Sequence, residues 1–498
     1  MAGDENKQRD NGLASTATTV ANSSNATNTA SRSPSTTEHN TSESITTEMN
    51  MDVRAPNHRR RRLSDADAEC YSVPDEYQNL DEVAAPCPVE NVTDGPIYRH
   101  SSLELARSHE QEWRRRRSET LPEPPSEDSA GRHHVSKLAT QIFTLSYLVF
   151  FAIMGTLARL GLVALTHYVD TPVIFTTIWA NFGGSLIMGF LAEDRMLFRN
   201  EWGTPTYDRV LTRVKKRNDE ESASGSDSTT GIDLAAAKKA YLATKKTIPL
   251  YIGLATGFCG SFTSFSSFIR DVFLAMSNDI VAPGFGTTAQ SRNGGYSFMA
   301  MLAVIITTVG LSLAGLVFGA HLAIATESII PSIPYNVARK VLDPLFVLLG
   351  WGCWLGAVLM SIFPPHDQWR GQATFALVFA PLGCLARFYL AIYLNGKMAS
   401  FPLGTFAANV LGTAVLGMAW DVAHIPSGGV IGCQVLQGVE DGFCGCLTTV
   451  STWVAELNSL RRRHSYIYGA TSVVVSFAVM VLIMGGLRWT DGWAALVC

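Results

Sequence analysis

Apolar and polar positions divide the chain sharply near residue 137. Residues 1–136 are dominated by Ser, Thr, Asn, Arg and Glu, with few aliphatics. So little apolar area cannot offset the entropy of ordering, and this segment is expected to be a disordered tail. Beyond Leu138 long apolar runs follow one another. A helix needs about 20 apolar residues to cross a bilayer core. Nine runs approach that length: 138–166, 172–193, 248–270, 297–325, 339–363, 372–394, 401–423, 430–457 and 466–489. Turn-forming or charged stretches such as "VDTP" (169–172), "FPPHDQWR" (363–370) and "NGK" (395–397) separate them. The predicted fold class is an all-α polytopic membrane protein with nine spans.

The apolar runs repeat. "GTLARLGL" (155–162) matches "GCLARFYL" (383–390), and "WANFGGSLIMGF" (179–190) matches "AANVLGTAVLGM" (407–418). Both matches lie 228 residues apart, pairing Arg159 with Arg387 and Asn181 with Asn409. "GFCG" at 257–260 recurs 185 residues later at 442–445, and an insertion in the 194–247 loop explains the smaller offset. Two homologous four-span units follow, at 137–326 and 371–490. Four spans return a chain to its starting side, so two directly joined units would share one orientation. The extra span, within 337–364, inverts the second unit, and the expected architecture is an inverted repeat.

Charge then orients the chain. Lys and Arg concentrate in the 194–247 loop, at Arg339 and Lys340, at Lys397 and at Arg461–Arg463, all on one side by parity. Positive loops face the cytosol, which sets the N-terminus inside and the C-terminus outside. The overall charge of −4 adds little, because the tail dominates it. The first residues carry no apolar core of a signal peptide. The nine cysteines show no zinc spacing and read as small apolar fillers. "RRRRLS" (59–64) and "WRRRRSE" (113–119) set arginines before Ser64 and Ser118, as in phosphorylation sites or anionic-lipid contacts, or in a plain solvated tail. The sequons at Asn22, Asn25, Asn40 and Asn91 go unused if the tail is cytosolic.

Candidate chemistry lies in the paired polar residues of the spans. A mid-membrane arginine is costly, so Arg159 and Arg387 either face protein or water, or snorkel to an interface. Asn181 and Asn409 sit among small residues and either cement helix packing or donate to an anion. "GFCGS" weakens a helix at mid-span, and unwound backbone at that depth belongs in protein or along a cavity. Downstream, Phe262, Phe265 and Phe268 alternate with Thr263, Ser264, Ser266 and Ser267. On one helix this spacing gives an aromatic face and a hydroxyl face, or ordinary packing. His321, Glu327, Asp343, Asp421, His424 and Glu456 lie near span ends and form no catalytic or metal set, with Glu327 and Asp343 expected at interfaces. No mid-membrane carboxylate recurs in both units, which argues against a proton-coupled pump. No nucleotide-binding P-loop is present, and nothing points to an enzyme or to nucleic acid.

The doubled "GFCG" segment, with its Ser/Thr track and the upstream Arg and Asn, resembles the CrcB or Fluc fluoride channels across nearly all of 138–489. The fused, linked form is similar to the eukaryotic fluoride export branch of that family. The resemblance implies two antiparallel four-helix units enclosing two pores, here in one chain able to act as a monomer. It implies a central structural Na⁺ held by backbone carbonyls of Gly260, Thr263, Gly445 and Thr448. Asn181 and Asn409 become pore residues, Phe265 and Phe268 pore rings, and Ser264, Ser266, Thr449 and Ser451 a hydroxyl track. Thr308, Ser312, Ser472 and Ser476 are looser fourth-helix counterparts.

The second unit departs from that pattern. Val450 and Trp453 stand where the two phenylalanines would be. The resemblance implies that each pore takes its rings from opposite units, so that one pore would pair Phe265 with Trp453 and the other Phe268 with Val450. The second pore is therefore expected to be impaired. The functional expectation is passive fluoride export through the plasma membrane, with fluoride and the bilayer as partners. A fluoride/proton antiporter and a scaffold whose tail binds partners are the alternatives.

Overall fold

A computed structural model describes residues 136–169, 171–175, 177–199, 245, 247–280, 292–366, 369–425 and 429–498, with 71, 73–80, 88, 89, 103 and 104 from the N-terminal part. The motifs around Ser64 and Ser118, the four sequons and most of the 194–247 loop lie outside the described residues.

The described residues form helices and no strands. In chain order these are α1 (Lys137–Thr166), α2 (Ile178–Glu193), α3 (Pro249–Ser277), α4 (Gly294–Ala325), α5 (Ala338–Ile362), α6 (Arg370–Lys397), α7 (Leu403–Ala423), α8 (430–459) and α9 (Arg462–Thr490). Seven are long and apolar enough to cross a membrane. The other two predicted spans are the 16-residue α2 and the broken α8, which carries Glu440 and Asp441.

Local chemistry fixes several ends. Ser136 Oγ accepts from the Ala139 amide at 3.2 Å and Asn293 Oδ1 from the Tyr296 amide at 3.0 Å, both N-caps. Asn278, at φ 66°, closes α3 in the left-handed conformation. Lys245 Nζ donates to the carbonyls of Leu191, Ala192 and Asp194, so the end of the long loop caps the C-terminus of α2.

The linking helix α5 lies along α1 and reaches α6, the first helices of the two units. Phe346 packs on Tyr147 and Phe151, with ring centroids 4.6 and 5.5 Å apart. Trp351 Nε1 donates to Ser146 Oγ at 3.0 Å, and Trp354 Nε1 to the Val378 carbonyl at 2.9 Å. Most of α5 remains exposed, as suits a lipid-facing connector rather than a core element.

Two expectations change here. Residues 1–136 are expected to be a disordered tail, yet Tyr71, Tyr77, Leu80 and Leu103 are buried. The Tyr71 and Tyr147 hydroxyls donate to the two carboxylate oxygens of Asp343 at 2.5 and 3.0 Å. Arg339 lies over the Tyr71 ring, Tyr77 meets Phe388, and Glu104 pairs with Arg461 and His464. Asp343, expected at an interface, is 2% exposed, with Tyr71 of the tail bonded to it. Cys433 and Cys498 are the second correction. They form a disulfide, invisible as a motif because 65 residues separate them. That bond, the Ala494 N–H donated to the His424 carbonyl and the packing of Trp493 against Trp420 and His424 fold segment 491–498 back onto α7 and α8.

Candidate functional site

The two broken helices, α3 and α8, meet at the centre of the fold. Both start as α-helix, widen into π-helical turns at Gly253–Cys259 and Val439–Cys444, and return to α-helix for three residues. The interruption follows at Thr263 and Ser264 in α3, both extended, and at Thr448 in α8. This corrects the sequence expectation that "GFCGS" itself is the break. It also splits the phenylalanine stripe. Phe262 ends the first half of α3 and packs on Phe258, whereas Phe265 and Phe268 open the second half.

Each break is held by the opposite unit. Thr448 Oγ1 accepts from the amides of Phe265 and Ser266 at 3.1 and 3.0 Å. Thr263 Oγ1 accepts from the amides of Val450 and Ser451 at 3.2 and 3.1 Å. Both threonine hydroxyls donate back to their own helix, at the Cys259 and Cys444 carbonyls. These are exchanged N-caps, in which a residue of one unit satisfies the free amides of the other.

The asparagines clamp the same breaks. Asn181 Oδ1 accepts from the Ser264 amide at 2.9 Å while its Nδ2 donates to the Ser264 carbonyl at 3.4 Å. Asn409 makes the same pair with Thr449 at 2.9 and 3.2 Å. Each amide side chain thus replaces a backbone partner for one unwound residue. Next to them, a Cβ on Gly184 would strike the Thr263 methyl, and one on Gly412 the Thr448 methyl. The small residues beside the asparagines make room for the capping threonines.

The arginines also cross over. Arg387, 1% exposed, donates from Nη2 to the Thr256 carbonyl at 2.6 Å and from Nε to the Cys446 carbonyl at 3.0 Å. Arg159 donates to the Asp441 carbonyl, which is the Thr256 position of the second unit. A Cβ at Gly260 would run into the Arg387 guanidinium, and one at Gly445 into that of Arg159. Neither arginine snorkels. Both donate to backbone carbonyls within the π-helical turns, and the last glycine of each "GFCG" admits them.

The predicted hydroxyl residues are all buried and form two clusters, Ser264 and Ser266 with Thr448, and Thr449 and Ser451 with Thr263. Ser266 Oγ lies 3.0 Å from Thr448 Oγ1, Ser264 Oγ 2.9 Å from Ser267 Oγ, and Thr449 Oγ1 3.2 Å from both Thr263 Oγ1 and Ser451 Oγ. Of the fourth-helix candidates, Thr308, Ser312, Ser472 and Ser476 are all buried. Ser312 and Ser476 hold equivalent places in α4 and α9, and neither hydroxyl has a partner. Phe265 meets Trp453 edge to face, with centroids 5.2 Å apart and planes at 70°, and also touches Phe268.

The exchanged caps have a consequence for the backbone. In an unbroken helix the amides of Ser264 to Ser267 would bond to the carbonyls of Gly260 to Thr263. They are taken instead by Asn181, by Thr448 twice and by Ser264 Oγ. In α8 the amides of Thr449 to Thr452 go to Asn409, to Thr263 twice and to Thr449 Oγ1. Two sets of carbonyls, including those of Gly260, Thr263, Gly445 and Thr448, therefore lose their helical donors at the crossing.

Sequence reasoning missed one pair of residues. Asp271 accepts from Thr177 Oγ1 at 3.4 Å, and Glu456 accepts from Thr405 Oγ1 and the Tyr468 hydroxyl, each at 2.6 Å. Asp271 and Glu456 occupy the same repeat position, as do Thr177 and Thr405. A buried carboxylate thus recurs in both repeats, a pairing the sequence reading did not make. The Asp/Glu exchange and the lack of any identical neighbour conceal it, although the 185-residue offset could have found it.

Helices crossed at paired breaks, seven of the described ones long and apolar enough to span a bilayer, define this molecule as a polytopic helical membrane protein. The family profile described as CrcB-like protein, Camphor Resistance (CrcB), matches residues 146–320 and 374–486. The chain belongs to the CrcB family. It is 55% identical over 474 residues to fluoride export protein 1 of Neurospora crassa, covering 89% of this chain and 88% of that one. It is 36% identical over 349 residues to fluoride export protein 1 of Candida albicans, covering 68% and 79%. The fluoride-specific ion channel FluC of Pseudomonas aeruginosa is 34% identical over 129 residues, which is 25% of this chain and 99% of the bacterial one. No solved structure matches the chain.

Proposed function

We propose that this protein is a passive, fluoride-selective channel that lets cytosolic fluoride leave the cell and so confers fluoride resistance. The observation that carries this reading is the centre of the fold. Two broken helices are locked together there, the aromatic pair Phe265 and Trp453 stands at the crossing, and Ser312 and Ser476 on α4 and α9 carry buried hydroxyls without partners. Ring edges and hydroxyls attract a small anion without a full charge to trap it, which conduction requires. The names of the relatives, fluoride export protein and fluoride-specific ion channel, support fluoride as that anion. Fluoride enters cells as neutral HF and ionises inside, so a channel under a negative-inside potential is enough for export.

A structural Na⁺ belongs to this reading. The carbonyls of Gly260, Thr263, Gly445 and Thr448 lack helical donors and suit a hard monovalent cation. Bound there, the ion would tie the two breaks together. The protein acts as a monomer in the plasma membrane, N-terminus in the cytosol. Two findings support that orientation. The described tail residues contact Asp343, Arg461 and His464, beside loops that charge assigns to the cytosol. The Cys433–Cys498 bond also suits the oxidising side of a plasma membrane.

Fluoride efflux from liposomes containing the purified chain tests the function. Rates far above those of carriers, driven by the fluoride gradient or voltage alone, are expected. Obligatory proton coupling would replace the channel by an antiporter, and absence of flux would leave only a scaffold.

A further inference from the structure

We propose that the indole N–H of Trp453 is a direct hydrogen-bond donor to the permeating anion, a role that a phenylalanine at this position cannot fill. The proposal rests on the channel reading above and deepens it. Trp453 is 1% exposed, and its Nε1 has no hydrogen-bond partner. Buried donors are nearly always satisfied, and leaving one unmade is destabilising. A phenyl ring would fill the position without that penalty, and the equivalent residue of the first unit, 185 positions earlier, is Phe268. The chain therefore carries an unmatched donor where its own repeat uses none.

The surroundings indicate what the donor meets. Trp453 stands edge to face with Phe265 and borders a cavity of about 730 Å³, together with Val309 and Leu313 of α4, Leu457 and Asn458 of α8 and Val473 of α9. The partnerless hydroxyls of Ser312 and Ser476 lie on two of the same helices, α4 and α9. Tryptophan is a donor only, so its polar atom favours anions and repels cations. A neutral N–H also holds the ion loosely enough to release it. Fluoride, the strongest hydrogen-bond acceptor among the halides, gains most from such a contact. The N–H thus supplies selectivity over chloride in the pore that keeps Phe265. The pore of Phe268 and Val450 has no counterpart.

The test uses the full chain, as wild type and as W453F, in liposomes and in ¹⁵N-indole-labelled form. W453F removes the N–H and also shrinks the side chain, so elution and melting are compared with wild type before the flux is read. Its fluoride flux at limiting fluoride is expected to fall on the order of tenfold, the worth of a charge-assisted hydrogen bond. One indole N–H resonance should move with added fluoride, stay still with chloride and be missing from W453F. A conducting wild type with W453F at the same rate, or with no fluoride-responsive indole resonance, overturns this proposal and leaves the channel reading intact. A wild type that passes no fluoride overturns both. Should W453F fail to fold, the resonance of the wild-type protein decides alone.

Discussion

Thr263 and Thr448 each cap a helix that belongs to the other unit. Thr448 holds the amides of Phe265 and Ser266, and Thr263 those of Val450 and Ser451. Phe265 is consequently placed by a side chain 183 residues away in sequence, and the caps form only when the two broken helices meet.

Replacing either threonine by valine keeps the shape and removes the cap. T263V and T448V should each lower stability by about 1–2 kcal/mol, the worth of a strong N-cap, read as a lower melting temperature in detergent. The serine variants should stay close to wild type.

Gly260 and Gly445 face the guanidinium groups of Arg387 and Arg159 with no room for a methyl. G260A and G445A are expected to give little folded protein and no fluoride resistance in a growth assay. G310A, where an added Cβ meets nothing within 4 Å, should leave yield and resistance unchanged.

The two ring pairs differ in kind. On the proposed reading of two pores, F265I should abolish fluoride efflux from liposomes while F268I spares it, because Phe265 has the ring of Trp453 against it and Phe268 is matched with Val450. The reverse result would reject the assignment of the working pore.

The Cys433–Cys498 bond gives a test of sidedness. In intact cells, a membrane-impermeant maleimide should label the chain only after an impermeant reductant has acted, and the C433S/C498S variant not at all. Labelling that requires permeabilised cells would invert the topology.

His424 makes the C-terminal segment sensitive to acid. Burial lowers its pKa below the ordinary 6.5, opposed by its hydrogen bond with the Trp420 carbonyl. The folded state favours the neutral ring. Its contribution is complete above pH 6.5 and is lost as pH falls through the lowered value. The melting temperature should decline with acidification over that range, and H424Q should flatten this part of the profile.

Much of this was legible in the sequence because the repeat carries it. Arg159 with Arg387, Asn181 with Asn409 and the two "GFCG" segments recur at fixed offsets, and each pair plays one role in the fold. The location of the break was not legible. Glycine signals flexibility, so "GFCG" drew the eye, whereas the break is made by Thr263 and Thr448, whose hydroxyls find amides only across the interface. No local pattern records such a contact. The same holds for Tyr71 on Asp343 and for Cys433 with Cys498, where chemistry depends on segments that meet only after folding.

The exchanged caps also bear on how the chain is made. Thr448 is synthesised long after Phe265, by which time α3 and α4 have already left the ribosome. Until it arrives, the second half of α3 sits in the bilayer with its first amides unsatisfied, in a solvent that offers no substitute. The first unit on its own therefore carries an open helix end at Phe265 and Ser266, closed only once Thr448 arrives.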